Sequence, residues 1–294
     1  MRFRDRLRGG VTLLACALAL GLPAAPARAG DVGDHMYDRF QGNVAGSLLW
    51  LSSSVRIDAK DGSIGTDLDV EDDLGFSDTK FQPRLEFRWR PGRRHQIGVG
   101  YQFARREAHK TLDETIEVGD TSFAAGAQVR AAFKTDNLFL TYRFAIMAHE
   151  RTQLGVALGL GAFFFKTELD ALAGVSVGGE ADSVSYSNST SFIGPTAALG
   201  LYGRFRVGDR WYIDPDVRYL RVEIDRFTAK VIEGGVSAQY FLSRKVGLEA
   251  GVGVRGVKVE VGPKTDGSGI VDLDVSAEIG YTETSFRLGA VFPL

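Results

Sequence analysis

Four histidines, one cysteine and a few spaced carboxylates are the side chains in this 294-residue chain with the chemistry of bases, nucleophiles or ligands. A histidine beside a serine can take a hydroxyl proton for acyl transfer, and a histidine beside paired aspartates can activate water. His109 stands among charges in Arg105-Arg106-Glu107-Ala108-His109-Lys110, with no serine motif nearby. Asp214 and Asp216 have the spacing of a carboxylate pair. Asp67-Leu68-Asp69-Val70-Glu71-Asp72-Asp73-Leu74-Gly75 gathers acids able to share a divalent cation, without the pattern of an EF-hand loop. Which of these groups can meet depends on the elements that carry them.

Those elements are announced by four short charged turns, Pro91-Gly92-Arg93-Arg94, Ala148-His149-Glu150-Arg151, Gly208-Asp209-Arg210 and Ser243-Arg244-Lys245. Each joins two segments in which apolar and polar residues alternate, which is the signature of a β-hairpin. In Phe81 to Arg90 the positions Phe81, Pro83, Leu85, Phe87 and Trp89 are apolar, while Gln82, Arg84, Glu86, Arg88 and Arg90 are polar. A strand separates these sets onto two faces; a helix would mix them. Ile97 to Phe103, Leu138 to Ile146, Leu154 to Phe164, Ile193 to Phe205, Trp211 to Tyr219, Val236 to Leu242 and Val246 to Val254 repeat the pattern. Val44 to Val55 before them and Ala277 to Leu294 after them bring the expected count to ten, with eight or twelve as alternatives. The open point is Thr111 to Arg130, where Ile116, Val118 and Phe123 either extend the neighbouring strands or form a further hairpin.

Alternation this long, with short turns at one end and long polar loops at the other, describes an all-β transmembrane antiparallel up-and-down barrel better than a soluble sandwich. An even strand number puts both termini beside the short turns, on the periplasmic side. The long connections, about Asp58 to Asp78, Lys110 to Val129, Leu169 to Asn188, Glu223 to Thr228 and Gly262 to Val275, then face outward. Trp89, Phe144, Phe205, Trp211, Tyr240 and Phe292 fall near the short turns or the C-terminus, where rings settle at the headgroup level. Mean hydropathy near zero is compatible, because only alternate residues meet lipid. A net charge of −2 argues against a nucleic-acid partner.

The first residues supply a route to that membrane. Arg2, Arg4, Arg6 and Arg8 form a cationic stretch, Val11 to Leu22 is apolar but too short to span, and Ala27-Arg28-Ala29 offers small residues for cleavage. The expected organisation is a signal peptide at 1–29, a periplasmic tail at 30–40 and the barrel at 41–294. A rival lipoprotein box at Leu13-Leu14-Ala15-Cys16 has few apolar residues before Cys16, so cleavage near Gly30 is preferred. That cleavage would leave no cysteine in the mature chain.

This topology also sorts the chemistry. His35 falls in the tail, His95 and His149 at periplasmic turns, and only His109 near the outer rim; Asp214 and Asp216 lie low in the barrel. The inward row collects Arg84, Glu86, Arg88, Arg143, Arg204, Asp214, Asp216, Arg218, Glu233, Glu249, Arg255, Glu283 and Arg287. Acids and bases nearly balance, so an interlocked charged plug is expected in so narrow a lumen. No catalytic residue, cofactor or metal ligand is assigned from the sequence.

Phe286, Leu288, Ala290, Phe292 and Leu294 alternate along the last strand and resemble the C-terminal signal read by the barrel-assembly machinery, although the chain ends in Pro293-Leu294. The stretch Asp73-Leu74-Gly75, then Pro83-Arg84-Leu85-Glu86-Phe87-Arg88-Trp89-Arg90, Arg94-His95-Gln96-Ile97, Gly119-Asp120-Thr121 and Leu140-Thr141-Tyr142-Arg143, resembles a group of uncharacterised proteobacterial outer-membrane β-barrel proteins. That resemblance covers roughly residues 40 to 170 and implies a location without a reaction. The sequence-level expectation is a monomeric outer-membrane barrel in contact with lipid and lipopolysaccharide, with a structural, surface-binding or small-solute role. The alternatives are a rim enzyme acting on lipid A, phospholipid or peptide, and a narrow pore for small solutes.

Overall fold

Residues 32–294 are described by the computed structural model, apart from 58–66, 74, 114, 119–120, 124, 173–174, 178–179, 183–185, 225–226 and 263–276. The expected signal segment therefore lies outside the described residues, as does nearly all of the last long connection. The alternating segments form ten long strands: β1 (Phe40–Ile57), β2 (Thr79–Trp89), β3 (His95–Thr111), β4 (Gln128–Ala148), β5 (Thr152–Leu172), β6 (Tyr186–Arg206), β7 (Trp211–Ile224), β8 (Phe227–Phe241), β9 (Gly247–Val261) and β10 (Ala277–Pro293). Each pairs antiparallel with its sequence neighbour, and β1 pairs with β10 from Gln41↔Pro293 to Ile57↔Ala277, which closes the barrel. Leu294 N donates to Phe40 O at 3.0 Å, so the two strand ends meet beside the short turns.

Strand parity divides the side chains as the alternation predicts. Val44, Leu85, Val99, Leu140, Leu158, Leu201, Val217, Ile232, Leu248 and Leu288 all point outward and are between 40% and 59% exposed. This apolar band ends at a ring of charge on the outward face: Arg105 with Asp136, Lys134 and Lys166 with Glu168, Arg221 with Glu223, and Lys258 with Glu260 and Glu278. The periplasmic edge carries the expected rings, with Trp211 and Tyr240 at 4.7 Å between centroids. A second girdle, unnoticed in the sequence, lies at the opposite edge in Trp50, Phe81, Tyr101, Phe103, Phe164 and Tyr219.

The strands are longer than the alternation suggests. β4, β5 and β6 each run 21 residues. At ~3.3 Å per residue, even tilted by ~40°, they rise well past an apolar band of ~25 Å. Apolar alternation marks the extent of the apolar band, while the hydrogen-bond ladder continues beyond it. The region from Thr111 to Arg130 takes both of its expected forms. It lengthens β3 and β4, and its short strands Ile116–Val118 and Thr121–Phe123 join Val175–Val177 and Glu180–Asp182 in a separate four-stranded sheet. A register shift between Ala145 and Met147 leaves both Ile146 and Met147 outside, at 63% and 42% exposure.

The lipid band can be checked at Leu199, which is 69% exposed midway along the outward row of β6. Leu199→Arg is expected to destabilise the folded barrel by about 2–4 kcal/mol, whereas Lys258→Ala, above the band, changes stability little. Unfolding midpoints read by heat-modifiability on gels would distinguish the two.

Candidate functional site in the barrel lumen

Because every second residue of a closed strand must face inward, the polar rows converge in the lumen and have to satisfy one another there. Glu86 sits between two arginines of its own strand, Arg84 Nη2 at 2.8 Å and Arg88 Nε at 2.7 Å. Glu233 on β8 binds across strands, to Arg218 at 3.0 Å and Arg255 at 2.8 Å. Glu249 on β9 accepts from Asn43 Nδ2 at 2.7 Å and Gln239 Nε2 at 3.0 Å, and pairs with Arg287 at 3.0 Å. Arg84 also lies 4.7 Å over the Phe139 ring, which covers Gly100 so closely that an added Cβ would come within 2.1 Å of it.

Between these groups is a cavity of about 120 Å³. Its charged lining consists of Arg84, Arg88, Arg143, Arg218, Arg255 and Arg287 with Asp214, Asp216, Glu233 and Glu283, while Glu86 and Glu249 pair with Arg84, Arg88 and Arg287 from beside it. Arg143 differs from the other arginines of the wall. Its guanidinium carbon sits 5.2 Å over the Tyr202 ring, and among the described residues no carboxylate lies within ion-pair distance.

The mouth beside the short turns is closed by the N-terminal segment. Met36 is fully buried with Tyr212, Phe241 and Val291, and Tyr37 packs against the cluster. The His35 ring stacks on Phe241 at 3.8 Å and 15°. His35 Nε2 lies 2.7 Å from Val32 O and Nδ1 lies 3.0 Å from Asp38 Oδ2, two groups that accept hydrogen bonds. Arg204 fixes the segment from inside, donating to Asp214 at 2.7 Å, to Gln239 at 3.1 Å and to the His35 carbonyl at 3.2 Å. Arg90, just beyond β2, donates to Gln153 and Gln96. Burial, with the Arg204 charge nearby, pulls it down to about 10, so it remains cationic at neutral pH.

The outer mouth is narrowed by the acidic first loop, which folds inward. Val70 and Phe76 pack on Ala108 and Ala131, beside Val55 and Phe133. Glu71 accepts from the Ser53 amide, the Ser53 hydroxyl and Arg106. Asp69 accepts from the amides of Glu71 and Asp72, and Asp73 accepts from the amide of Asp69. Asp69, Glu71 and Asp73 are thus engaged in shaping a turn and capping an arginine, while Asp67 and Asp72 are exposed.

The inward row read from the sequence lines the lumen as expected, with Arg204 and Asp214 at its lower end. The histidines do not assemble with it. His95 faces outward and hydrogen-bonds the Tyr142 hydroxyl at 2.7 Å, and His149 contributes its carbonyl to Tyr37. His109 is exposed on the outward face of β3, turned away from the lumen. Asp214 and Asp216 are held by separate arginines, Arg204 and Arg218, and no described histidine joins them as a base. Residues 32–39 enter the mouth, and His35 is 4% exposed. Tyr202, Gln153, Gln239 and Arg90 were missed as lumen residues, although continuing the parity of each strand would have found them.

No protein-family model matches the chain, and no curated protein matches it. Among solved structures, the barrel is similar to the outer membrane protease OmpT from Escherichia coli, with TM-score 0.54 and 11% identity over 88% of this chain and 97% of that one. Looser likenesses are the transport unit of the autotransporter AIDA-I from Escherichia coli, with TM-score 0.36 and 10% identity over 97% of this chain and 98% of that one, and Ail from Yersinia pestis, with TM-score 0.31 and 14% identity over 84% and 98%. At such identity the first likeness establishes a fold: the chain forms a closed, ten-stranded antiparallel barrel of the outer-membrane type.

Removing one partner of a buried ion pair leaves the other charge stranded, at about 3–5 kcal/mol. Glu86→Ala is therefore expected to destabilise by that order, through Arg84 and Arg88, as measured by heat-modifiability. The seating of the N-terminal segment has its own check. Cysteine placed at Met36 should resist an impermeant maleimide in the folded barrel and react after boiling, while cysteine at the exposed turn residue Lys245 should react in both states.

Proposed function

We propose that this protein is an integral outer-membrane barrel with a closed lumen, in a structural, surface-binding or small-solute-binding role, and neither an enzyme nor a free-diffusion channel. The observation that carries this reading is the continuous stack across the lumen, from Met36 and His35 through Arg204 and Glu249 to the Glu86 and Glu233 ion pairs. Charged side chains locked to one another across a narrow interior leave a small cavity in place of a pore. The apolar band, two aromatic girdles and the fold itself support residence in the outer membrane. The outward setting of His109 and the separate arginine partners of Asp214 and Asp216 weigh against the rim-enzyme alternative.

The test is electrical. In planar bilayers the purified barrel is expected to show no steady ohmic conductance, and a stable open current from the intact protein would overturn the closed-lumen reading. Turnover of lipid A, phospholipid or peptide that is abolished in His109→Ala would overturn the non-enzymatic part.

A further inference from the structure

We propose that the lumen cavity binds a small oxyanion, of phosphate or sulfate type, at Arg143 and Tyr202. The inference goes beyond the closed-barrel reading, since a closed lumen does not require a ligand. Arg84, Arg88, Arg218, Arg255 and Arg287 each meet a carboxylate within 3.0 Å. Arg143 meets none among the described residues and rests on the Tyr202 ring instead. Tyr202 is 5% exposed, and its hydroxyl has no hydrogen-bond partner. Both side chains line the same cavity.

What these two groups lack defines what they would take. A guanidinium offers only donors, and a phenol beside it donates as well, so the fitting ligand is an acceptor with negative charge. Glu86 and Asp216 act on Arg143 only from beyond ion-pair distance, so an arriving anion would give the guanidinium a direct partner. Water satisfies the hydroxyl but supplies no such charge. At about 120 Å³ the cavity accommodates several water-sized groups, which is room for one tetrahedral oxyanion with part of its hydration. Of the carboxylates on the wall, Asp214, Asp216 and Glu233 are already held by arginines, and Glu283 lies in the field of Arg255. The N-terminal segment lies across the periplasmic route, so the anion reaches the site through the outer mouth.

Equilibrium dialysis of the folded, detergent-solubilised full barrel against labelled inorganic phosphate, at constant ionic strength with sulfate as competitor, tests the site. Saturable binding near one phosphate per barrel is expected, displaced by sulfate. It should be about tenfold weaker in Tyr202→Phe, which loses one hydrogen bond to a charged ligand, lost in Arg143→Gln, and unchanged in the exposed turn variant Lys245→Gln. Absence of saturable binding by the wild-type barrel would overturn the proposal. So would wild-type affinity in both lumen variants. Should Arg143→Gln fail to fold on a heat-modifiability gel, Tyr202→Phe decides alone, since it removes a single hydroxyl.

Discussion

Hydrocarbon offers no partner to a backbone N–H or C=O, and in a barrel of the outer-membrane type the seam, here between β1 and β10, is where that requirement is met. Without the ladder from Gln41↔Pro293 to Ile57↔Ala277, two strands would each present an unpaired edge to lipid. Closure in turn dictates the rest. Once the sheet is a cylinder, half of every strand's side chains must face a narrow interior from which they cannot withdraw. The polar half goes inside because the other half faces lipid, and the charges then have to find partners among the residues that strand register happens to bring near.

The resulting pairs are of two kinds, and they do different work. Arg84, Glu86 and Arg88 alternate on one strand, so their ion pairs follow from spacing alone and say little about neighbouring strands. Glu233 and Glu249 instead tie strands together: the first links β7, β8 and β9, and the second joins β9 to β1, β8 and β10. Desolvation offsets much of the Coulomb attraction in such buried pairs, so their value lies less in net stability than in penalising every wrong register. A shift of one residue in β9 would turn Glu249 and Arg255 toward lipid and bring apolar Leu248 and Val254 inside. The cationic lining of the central cavity is entirely arginine, whose planar fork can reach carboxylates on two strands where an ammonium offers one compact charge.

Much of this was legible from sequence because a barrel strand has one rule, period two, and the rule fixes face as well as conformation. Trp89, Leu140 and Phe286 belong outside and Arg84, Glu233 and Arg287 inside by counting alone, and the short charged turns identify which end is which. Strand length was not legible, since β4 and β5 continue as hydrogen-bonded ladders after Asp136 and Lys166 have replaced the apolar outward residues. Pairings were not legible either. Glu249 meets Asn43, 206 residues away, because cyclic closure makes the first and last strands neighbours. The paired spacing of Asp214 and Asp216 suggested a dyad, but Asp214 finds Arg204 on the neighbouring β6 and Asp216 finds Arg218 on its own strand, so each carboxylate is paired separately. The direction of the acidic first loop was not legible either: its apolar Val70 and Phe76 pack on Ala108 and Ala131 and bring Glu71 to Arg106.

Where the N-terminal segment packs was not legible, because nothing in eight residues preceding a strand announces a destination. Met36 has no pocket within its own neighbourhood; the pocket consists of Tyr212 from β7, Phe241 from β8 and Val291 from β10. Those residues lie side by side only in the assembled sheet, and β10 stands next to the segment only once β1 has zipped onto it. The contact with Val291 therefore requires closure, and it is among the longest-range in the chain. Arg204 receives the segment from a smaller unit: its bonds to Asp214 and Gln239 need only β6, β7 and β8 to be paired, and the nitrogen that donates to Gln239 also donates to the His35 carbonyl.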